Sequence, residues 1–400
     1  MLLRELELDE FRSLRSTRIT IDASGFRAVG PNASGKSTLL EAIAMLATTR
    51  SPRTSAEREI PHWESGAALG VPAYARARGV FERADGTHTV EIGLSFDDQG
   101  ARLKKIVRLD GGLSRSIDTV GQFKTVLFAP EDVELLSGSP SGRRRFLDIA
   151  IGQASRGYLR TLSRYARVLE QRNSLLRTFG RDGVRHRVGD QLSFWDDELI
   201  GAGAEVLAYR IGAVAELSSQ AAMHFAELGG APEFNVAYIP HRVALAESIA
   251  VQPWHQPDLS TRQSVSASMA SDLAAVRNEE LRRGVTALGP HRDDFQVNVD
   301  NVNLGRFGSR GQQRLAVVAL RLAEFDLLAQ AGGEPPVLLL DDVFSELDAT
   351  HRKRLVAAVS ARGSQVCLTA TDIDDSGTKE LGNLPLLRLE KGTVESVASA

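Results

Sequence analysis

The chain has 400 residues, 42% of them hydrophobic and 25% charged, which describes a soluble globular protein with enough length for two domains and a real core. No run of about twenty apolar residues exists to cross a bilayer, and the N-terminus, MLLRELELDEFRSLR, is charged where a signal peptide needs an apolar stretch, so a cytoplasmic protein with no membrane partner is expected. A formal net charge of −3 gives no global nucleic-acid signal, so any DNA contact has to come from a local patch or a surface assembled in an oligomer. The single cysteine, Cys367, reads as a buried strand residue in QVCLTA and leaves neither disulfides nor a cysteine metal site.

The first fifty residues hold an alternating strand at Leu2 to Leu8, a charged turn, a second strand near Arg18 to Ile21, and a short apolar strand at Phe26 to Val29. That third strand runs into Gly30-Pro31-Asn32-Ala33-Ser34-Gly35-Lys36-Ser37, and a helix begins near Thr38 with Leu39, Ile43 and Leu46 on it. This is G-x-x-x-x-G-K-[ST] in the strand-to-helix setting the motif requires. Gly30 and Gly35 let the backbone turn its amides inward, and the helix dipole adds positive potential for a phosphate chain. Lys36 supplies a point charge for the outer phosphates and the Ser37 hydroxyl a ligand for Mg²⁺. A glycine-rich turn without function is the competing reading, and the flanking strand and helix argue against it.

From Tyr74 the pattern changes to short strands, Tyr74 to Glu82, Thr89 to Phe96 and Leu103 to Leu109, separated by turn signals at Asp85-Gly86 and Asp110-Gly111-Gly112. They predict an antiparallel meander laid against the nucleotide core. A strand near Val126 leads through a Gly/Pro/Ser-rich turn to Arg143, Arg144 and Arg145, after which long amphipathic helices take over. Phe146 to Arg177 and about Asp190 to Leu228 carry apolar residues three to four apart and should pack as an antiparallel hairpin. The basic loop between them contains Arg181, Arg185 and Arg187. Pro240 to Ser268 predicts loop, followed by a helix from about Met269 to Arg283. His291 and Arg292 in GPHRDD fit either a structural turn or a site near the helical insertion.

Nucleotide chemistry returns in the last third. VLLLDD, Val337 to Asp342, is too apolar for anything but a buried central strand, and its terminal carboxylates need partners. The phosphate loop offers them: Asp341 would complete a Mg²⁺ shell with Ser37, and Asp342 would orient or deprotonate the water that attacks the γ-phosphate. Ser309 and Gly311 precede a further amphipathic helix, a second candidate anion site, although an ordinary N-cap fits the same residues equally well.

Together these blocks resemble the ATPase heads of the ABC superfamily in its SMC-like branch, and more specifically its bacterial DNA replication and repair members. The blocks GPNASGKSTLLEAI, SPRTSAEREI, FAPEDVELLSGSPSGRRRFLD, YARVLEQRNSLLR, GPHRDDF, SRGQQRLAVVALRLAE and LLLDDVFSELD follow the family's order and spacing over nearly the whole chain. The resemblance implies an α/β fold: an ABC-type P-loop ATPase head with an antiparallel β meander, residues 1–138 and 285–400, and an inserted α-helical lid or arm, residues 139–284. By this resemblance Gly30 to Ser37, with Thr38, form the Walker A loop, and Asp341 and Asp342 the Walker B pair, so that Lys36, Asp341 and Asp342 are the catalytic set. Ser309, Arg310, Gly311 and Gln312 become the signature motif, and Ser345, Glu346, Leu347 and Asp348 the D-loop. Gln122, or the FAPED turn after it, would be the Mg²⁺-sensing loop beside Ser37 and Asp341. ATP and Mg²⁺ are the implied cofactors, with ATP sandwiched between two copies so that Ser309 of one covers the phosphates held by Lys36 of the other. Asp342 in place of glutamate, and Thr371 and Asp372 where a switch histidine usually stands, point to slow hydrolysis that times an assembly.

The implied activity is a weak DNA-dependent ATPase. An ATP-dependent homodimer would engage double-stranded DNA near single-strand gaps, with Arg143 to Arg145 and Arg181, Arg185 and Arg187 as candidate contacts and solvated charge as the alternative. RecO and RecR are the implied partners in loading RecA, with a link to the SOS response. The alternative is a nucleotide-gated repair scaffold with incidental turnover.

Overall fold

The computed structural model describes residues 1–54, 56–67, 70–97, 100, 102–182, 188–231, 233–244, 253–371, 381 and 384–397; the side chains of 179–182, 188–190, 346 and 396–397 lie outside the description. In chain order the strands are β1 (Leu2–Phe11), β2 (Leu14–Thr20), β3 (Gly25–Val29), β4 (Tyr74–Arg83), β5 (Gly86–Phe96), β6 (Leu103–Leu109), β7 (Gly112–Ser114), β8 (Thr125–Phe128), β9 (Phe234–Ile239), β10 (Asp294–Val299), β11 (Val302–Asn303), β12 (Val337–Asp341), β13 (Val366–Ala370), β14 (Leu386–Glu390) and β15 (Thr393–Val397). The longer helices are α1 (Lys36–Thr48), α2 (Pro140–Ala154), α3 (Arg156–Asp182), α4 (Val188–Glu227), α5 (Leu259–Arg283), α6 (Arg310–Gly332) and α7 (Ala349–Ser360).

Two compact units result, one formed by residues 1–133, 224–230 and 310–400, the other by 134–223 and 231–309. In the first, six strands in the order β2-β1-β4-β5-β6-β7 make the antiparallel meander, and six more, β15-β14-β3-β13-β12-β8, make a sheet that is parallel from β14 to β8. Alternation drives the meander: Leu6 and Leu8 of β1 face the core while Glu5, Glu7 and Asp9 face out, and a bulge between Leu3 and Glu5 brings Leu3 inward as well. The outer face is a cross-strand charge ladder, with Arg76 reaching Glu7, Asp9 and Glu91 and Arg78 reaching Glu7. Helix α1 contacts strands of both sheets and is buried almost all round, so one apolar cluster runs through Leu6, Ile92, Ile43, Leu339 and Leu389. Its one acid, Glu41, is fully buried and answered by Arg12 at 2.7 Å.

The second unit differs from an all-helical insertion. Strands β9 and β10 pair antiparallel, Asp294 opposite Ile239 through Val299 opposite Phe234, and β11 completes a small sheet against which α2 packs. Residues 285–309, expected with the ATPase head, therefore belong here, because β10 finds its hydrogen bonds on β9. Helix α5 starts at Leu259 rather than Met269, capped by the Asp258 carboxylate on the Thr261 N–H at 2.6 Å. Buried ions tie these helices together. Arg172 of α3 is fully buried and donates to Asp196 at 2.8 Å, Glu280 at 2.6 Å and Thr286 at 2.8 Å. Arg210 of α4 reaches Tyr158, Asp148 and the Pro290 carbonyl at 3.0, 2.7 and 2.6 Å.

Two outcomes follow from this unit. Replacing Arg172 by methionine leaves the fully buried Glu280 without a cation and Asp196 with Arg277 alone, and urea unfolding should show a loss of about 3–5 kcal/mol. His291 stands 2.6 Å from the Tyr165 hydroxyl, and burial, together with Arg292, Arg144 and His241, lowers its pKa from 6.5 to about 4. Below the unfolded value the unfolded chain takes up this proton first, so stability is full above 6.5 and falls as pH drops toward about 4. His291→Gln should flatten that part of the pH–stability profile, removing a dependence on the order of 3 kcal/mol.

Candidate nucleotide-binding site

Because β14, β3, β13, β12 and β8 run parallel, their C-terminal ends share one edge, the usual place for a ligand in such a sheet. The loop after β3 is the phosphate-loop sequence and opens directly into α1 at Lys36. Glycine is required at two of its positions for different reasons. A Cβ at Gly30 would lie 2.1 Å from the Leu389 carbonyl oxygen, whereas Gly35 has φ of 108°, a conformation that side chains resist.

Lys36 is only 8% exposed, and its ammonium donates to the carbonyls of Gly30 at 2.7 Å and Pro31 at 2.9 Å. Burial lowers its pKa, while the charges of Asp342 and Asp341 pull it back up. The Ser37 hydroxyl donates to Asp341 Oδ1 at 2.9 Å, joining the end of β12 to the start of α1. Thr369 of β13 completes the connection: its hydroxyl donates to the same Asp341 oxygen at 2.7 Å and accepts the Asp342 N–H at 3.0 Å. Sequence reasoning missed Thr369; its only signal is one hydroxyl in the apolar run VCLTA, on the strand between the two motif-bearing strands.

Asp342 sits just past β12 with φ of 49°, left-handed for a residue that tolerates it, and its Oδ1 is buried without a partner, as is Ser34 Oγ. Ser345 follows in the next turn and donates to the Asp342 carbonyl at 2.8 Å, and Asp348 caps α7 through the Thr350 and His351 N–H groups. Ser37 and Asp341 are hard oxygen donors already in register, and Mg²⁺ is held by few protein ligands plus phosphate oxygens, so the donor set fits that ion. Among the described residues no three acidic, histidine or cysteine side chains gather as a metal site.

Ser309, Arg310, Gly311 and Gln312 are exposed where α6 begins, in contrast to the buried run Leu315 to Leu320 behind them. Gln122 is at the wrong end of the sheet for a metal-sensing role. It precedes β8, whose Phe128 pairs with Leu340, so it lies at the strand's N-terminal end, and its amide is engaged by Arg83 at 2.7 Å and the Asp118 carbonyl. The FAPED turn stands at the proper edge, where Asp132 accepts the Ala129 N–H and pairs with Arg321 of α6. Arg143 and Arg144 are engaged within the chain: Arg143 grips both Asp294 oxygens at 2.6 and 2.9 Å, and Arg144 donates to the Asp293 carbonyl. Arg145 is half-buried beside them. Arg185, Arg187 and Asp372, and the side chains of Arg181 and Glu346, lie outside the described residues, while Thr371 is exposed.

The sequence also matches the family model "RecF/RecN/SMC N terminal domain" over residues 2–377. The chain belongs to the RecF family. It is 42% identical to the DNA replication and repair protein RecF of Thermomicrobium roseum, covering 99% of this chain and all of that one, and 40% identical to that of Chloroflexus aggregans, covering 98% and 99%. A solved structure described as the recombination mediator protein RecF with ATP in the RecFOR pathway superposes with a TM-score of 0.84 at 28% identity, covering 99% of this chain and 98% of that one. An Smc head from Pyrococcus furiosus shares the fold at a TM-score of 0.52 and 15% identity, over 99% of this chain and 96% of that one. The fold is thus the ABC-type ATPase head of RecF and SMC proteins, with its meander and its insertion.

Thr369→Val removes a donor to Asp341 and the acceptor of the Asp342 N–H. It should lower stability by about 1–3 kcal/mol and shrink the melting-temperature rise produced by Mg²⁺-ATP, with Thr369→Ser restoring both.

Proposed function

We propose that this protein is an ATP-dependent DNA-binding clamp of gap repair. Two copies close on ATP, hold duplex DNA near a single-strand gap, and separate after slow hydrolysis. The observation that carries the reading is the division of the phosphate-binding chemistry. Lys36, Ser37, Asp341 and Thr369 are joined at one sheet edge, while Ser309 to Gln312 present a helix N-terminus outward, with open space at Gly311. Such a terminus favours an anion, and a second copy is the natural source of one.

In this mechanism the loop amides and the α1 dipole hold the phosphates, and Lys36 turns from its two carbonyls to the outer ones. Ser37 and Asp341 would hold Mg²⁺, which screens the charge of the phosphates. Asp342, with its unpartnered Oδ1, accepts a proton from the attacking water, and aspartate's short reach suits a slow step. The D-loop, Ser345 to Asp348, tied to the Asp342 carbonyl, would carry the state of that carboxylate to the neighbouring copy. RecO and RecR fit as partners because the related solved structures are described within the RecFOR pathway.

Lys36→Met removes a charge-assisted contact to the phosphates and should weaken ATP binding by tenfold to a hundredfold or so, abolishing ATP-dependent retention on gapped duplex. Ser309→Arg should leave ATP binding by the single chain intact yet eliminate ATP-dependent dimers in light scattering; undiminished dimers would refute the two-copy site. Asp342→Asn should lengthen residence on DNA, and an unchanged residence time would favour a scaffold whose turnover is incidental.

A further inference from the structure

Arg143 is held in an ion pair with Asp294 and Arg144 by the Asp293 carbonyl, so a duplex calls for a further basic surface. Helix α3 carries one. Arg156, Arg160, Ser163, Arg167, Gln171 and Ser174 follow one another at intervals of four, three, four, four and three residues, which places all six on one face, and all six are exposed. Among the described side chains of this helix there are six arginines and one acid, Glu170, at the flank of the stripe.

Several exposed arginines of the protein are held by acids, whereas those of the stripe are not. Arg164, on the same helix but turned toward α4, pairs with Glu198 at 2.7 Å; Arg242 and Arg283 share Glu279; Arg115 pairs with Asp118. Arg156 and Arg160 have no hydrogen bond or ion pair among the described residues, and Arg167 reaches only the Ser163 carbonyl of its own helix. Three guanidinium groups left unneutralised in a row, interleaved with hydroxyl and amide donors, make a surface complementary to a row of phosphates. The stripe spans about 27 Å, close to eight base pairs of duplex at about 3.4 Å each. It carries no aromatic side chain, so it lacks the stacking platform that single strands use, and nothing on it repeats the fork of a base-reading helix in its groove.

We infer that the Arg156–Arg160–Arg167 face of α3 is a sequence-independent docking track for the phosphate backbone of duplex DNA. The inference rests on the DNA-binding reading above and names the surface that performs it.

The test is fluorescence anisotropy of the full chain with ATP on a labelled duplex, across a salt series. The triple variant Arg156→Gln/Arg160→Gln/Arg167→Gln should lose affinity equally for unrelated sequences, with the log K against log salt slope shallower by about 2–3, since each phosphate contact contributes about 0.9. ATP binding and ATP-dependent dimers should be unchanged, which separates a lost DNA contact from a lost fold. Arg164→Gln, which removes the same charge from the same helix but from an internal pair, should leave the slope as in the parent. A parent chain retained on duplex with a triple variant of equal affinity and slope overturns the track while leaving the clamp reading standing. The same face would then serve an acidic protein partner or solvent alone. No salt-dependent duplex binding by the parent chain overturns both. An equal loss in Arg164→Gln also overturns the track, because net charge and not the stripe would be the cause.

Discussion

Everything at the sheet edge depends on one shared acceptor, Asp341 Oδ1. It receives the Ser37 hydroxyl from the first turn of α1 and the Thr369 hydroxyl from β13, so three elements far apart in sequence meet at a single oxygen. A carboxylate at the end of a strand as apolar as VLLLD would be costly to bury alone. With two donors it becomes the point that sets the register of the phosphate loop against the Walker B strand. The neighbouring residue has the opposite character. Asp342 keeps one oxygen buried and unpaired in a left-handed backbone conformation, the kind of local strain that persists where surrounding structure over-determines it.

Why the phosphate loop was legible and its support was not is a matter of where the constraint lies. Gly30 to Ser37 must combine a tight turn, a close backbone approach and a charged side chain within eight consecutive positions, so the chemistry is written locally. Thr369 acts only through β13 lying between β3 and β12, a fact of sheet order that no local pattern carries. The same blindness produced the errors. Gln122 is near β8 in sequence, yet which end of the strand it occupies depends on pairing with β12. Arg143 and Arg144 look like free charge until β10 brings Asp293 and Asp294 to them. The small sheet of the second unit was invisible for a related reason, since Phe234–Ile239 and Asp294–Val299 are short and separated by the whole of α5.

The two units are stabilised in different ways, and the sequence shows why. In the first, α1 meets apolar residues on nearly every side, so the interior is a continuous apolar cluster with Glu41 as a paired exception. The second is built on long helices carrying many arginines, and it buries some of them outright. Arg172 and Arg210 join helices to distant turns at Thr286 and Pro290 by directional bonds that accept few alternative registers. Ion pairs of this kind add little net stability compared with apolar packing, but an unpaired member is severely penalised, which favours one arrangement over near neighbours. A helical unit held in a single register can keep the arginines of α3 on one exposed face.

Electrostatics also bears on why the proposed site needs a second copy. One lysine, partly desolvated, stands against two carboxylates, and burial lowers its pKa although those same carboxylates partly oppose the fall. Adding a triphosphate brings more negative charge to an edge that is already short of positive charge, even after the helix dipole and the loop amides have contributed. Mg²⁺ offsets part of this. What remains calls for a further donor group, and a helix N-terminus led by a serine and an arginine has the right sign, yet in this chain that terminus faces outward. Under that arrangement the nucleotide bonds the two copies because it is what balances the charge of each. In the proposed mechanism, hydrolysis would split the phosphate chain between Lys36 and Ser309 and so remove the reason for the copies to stay together.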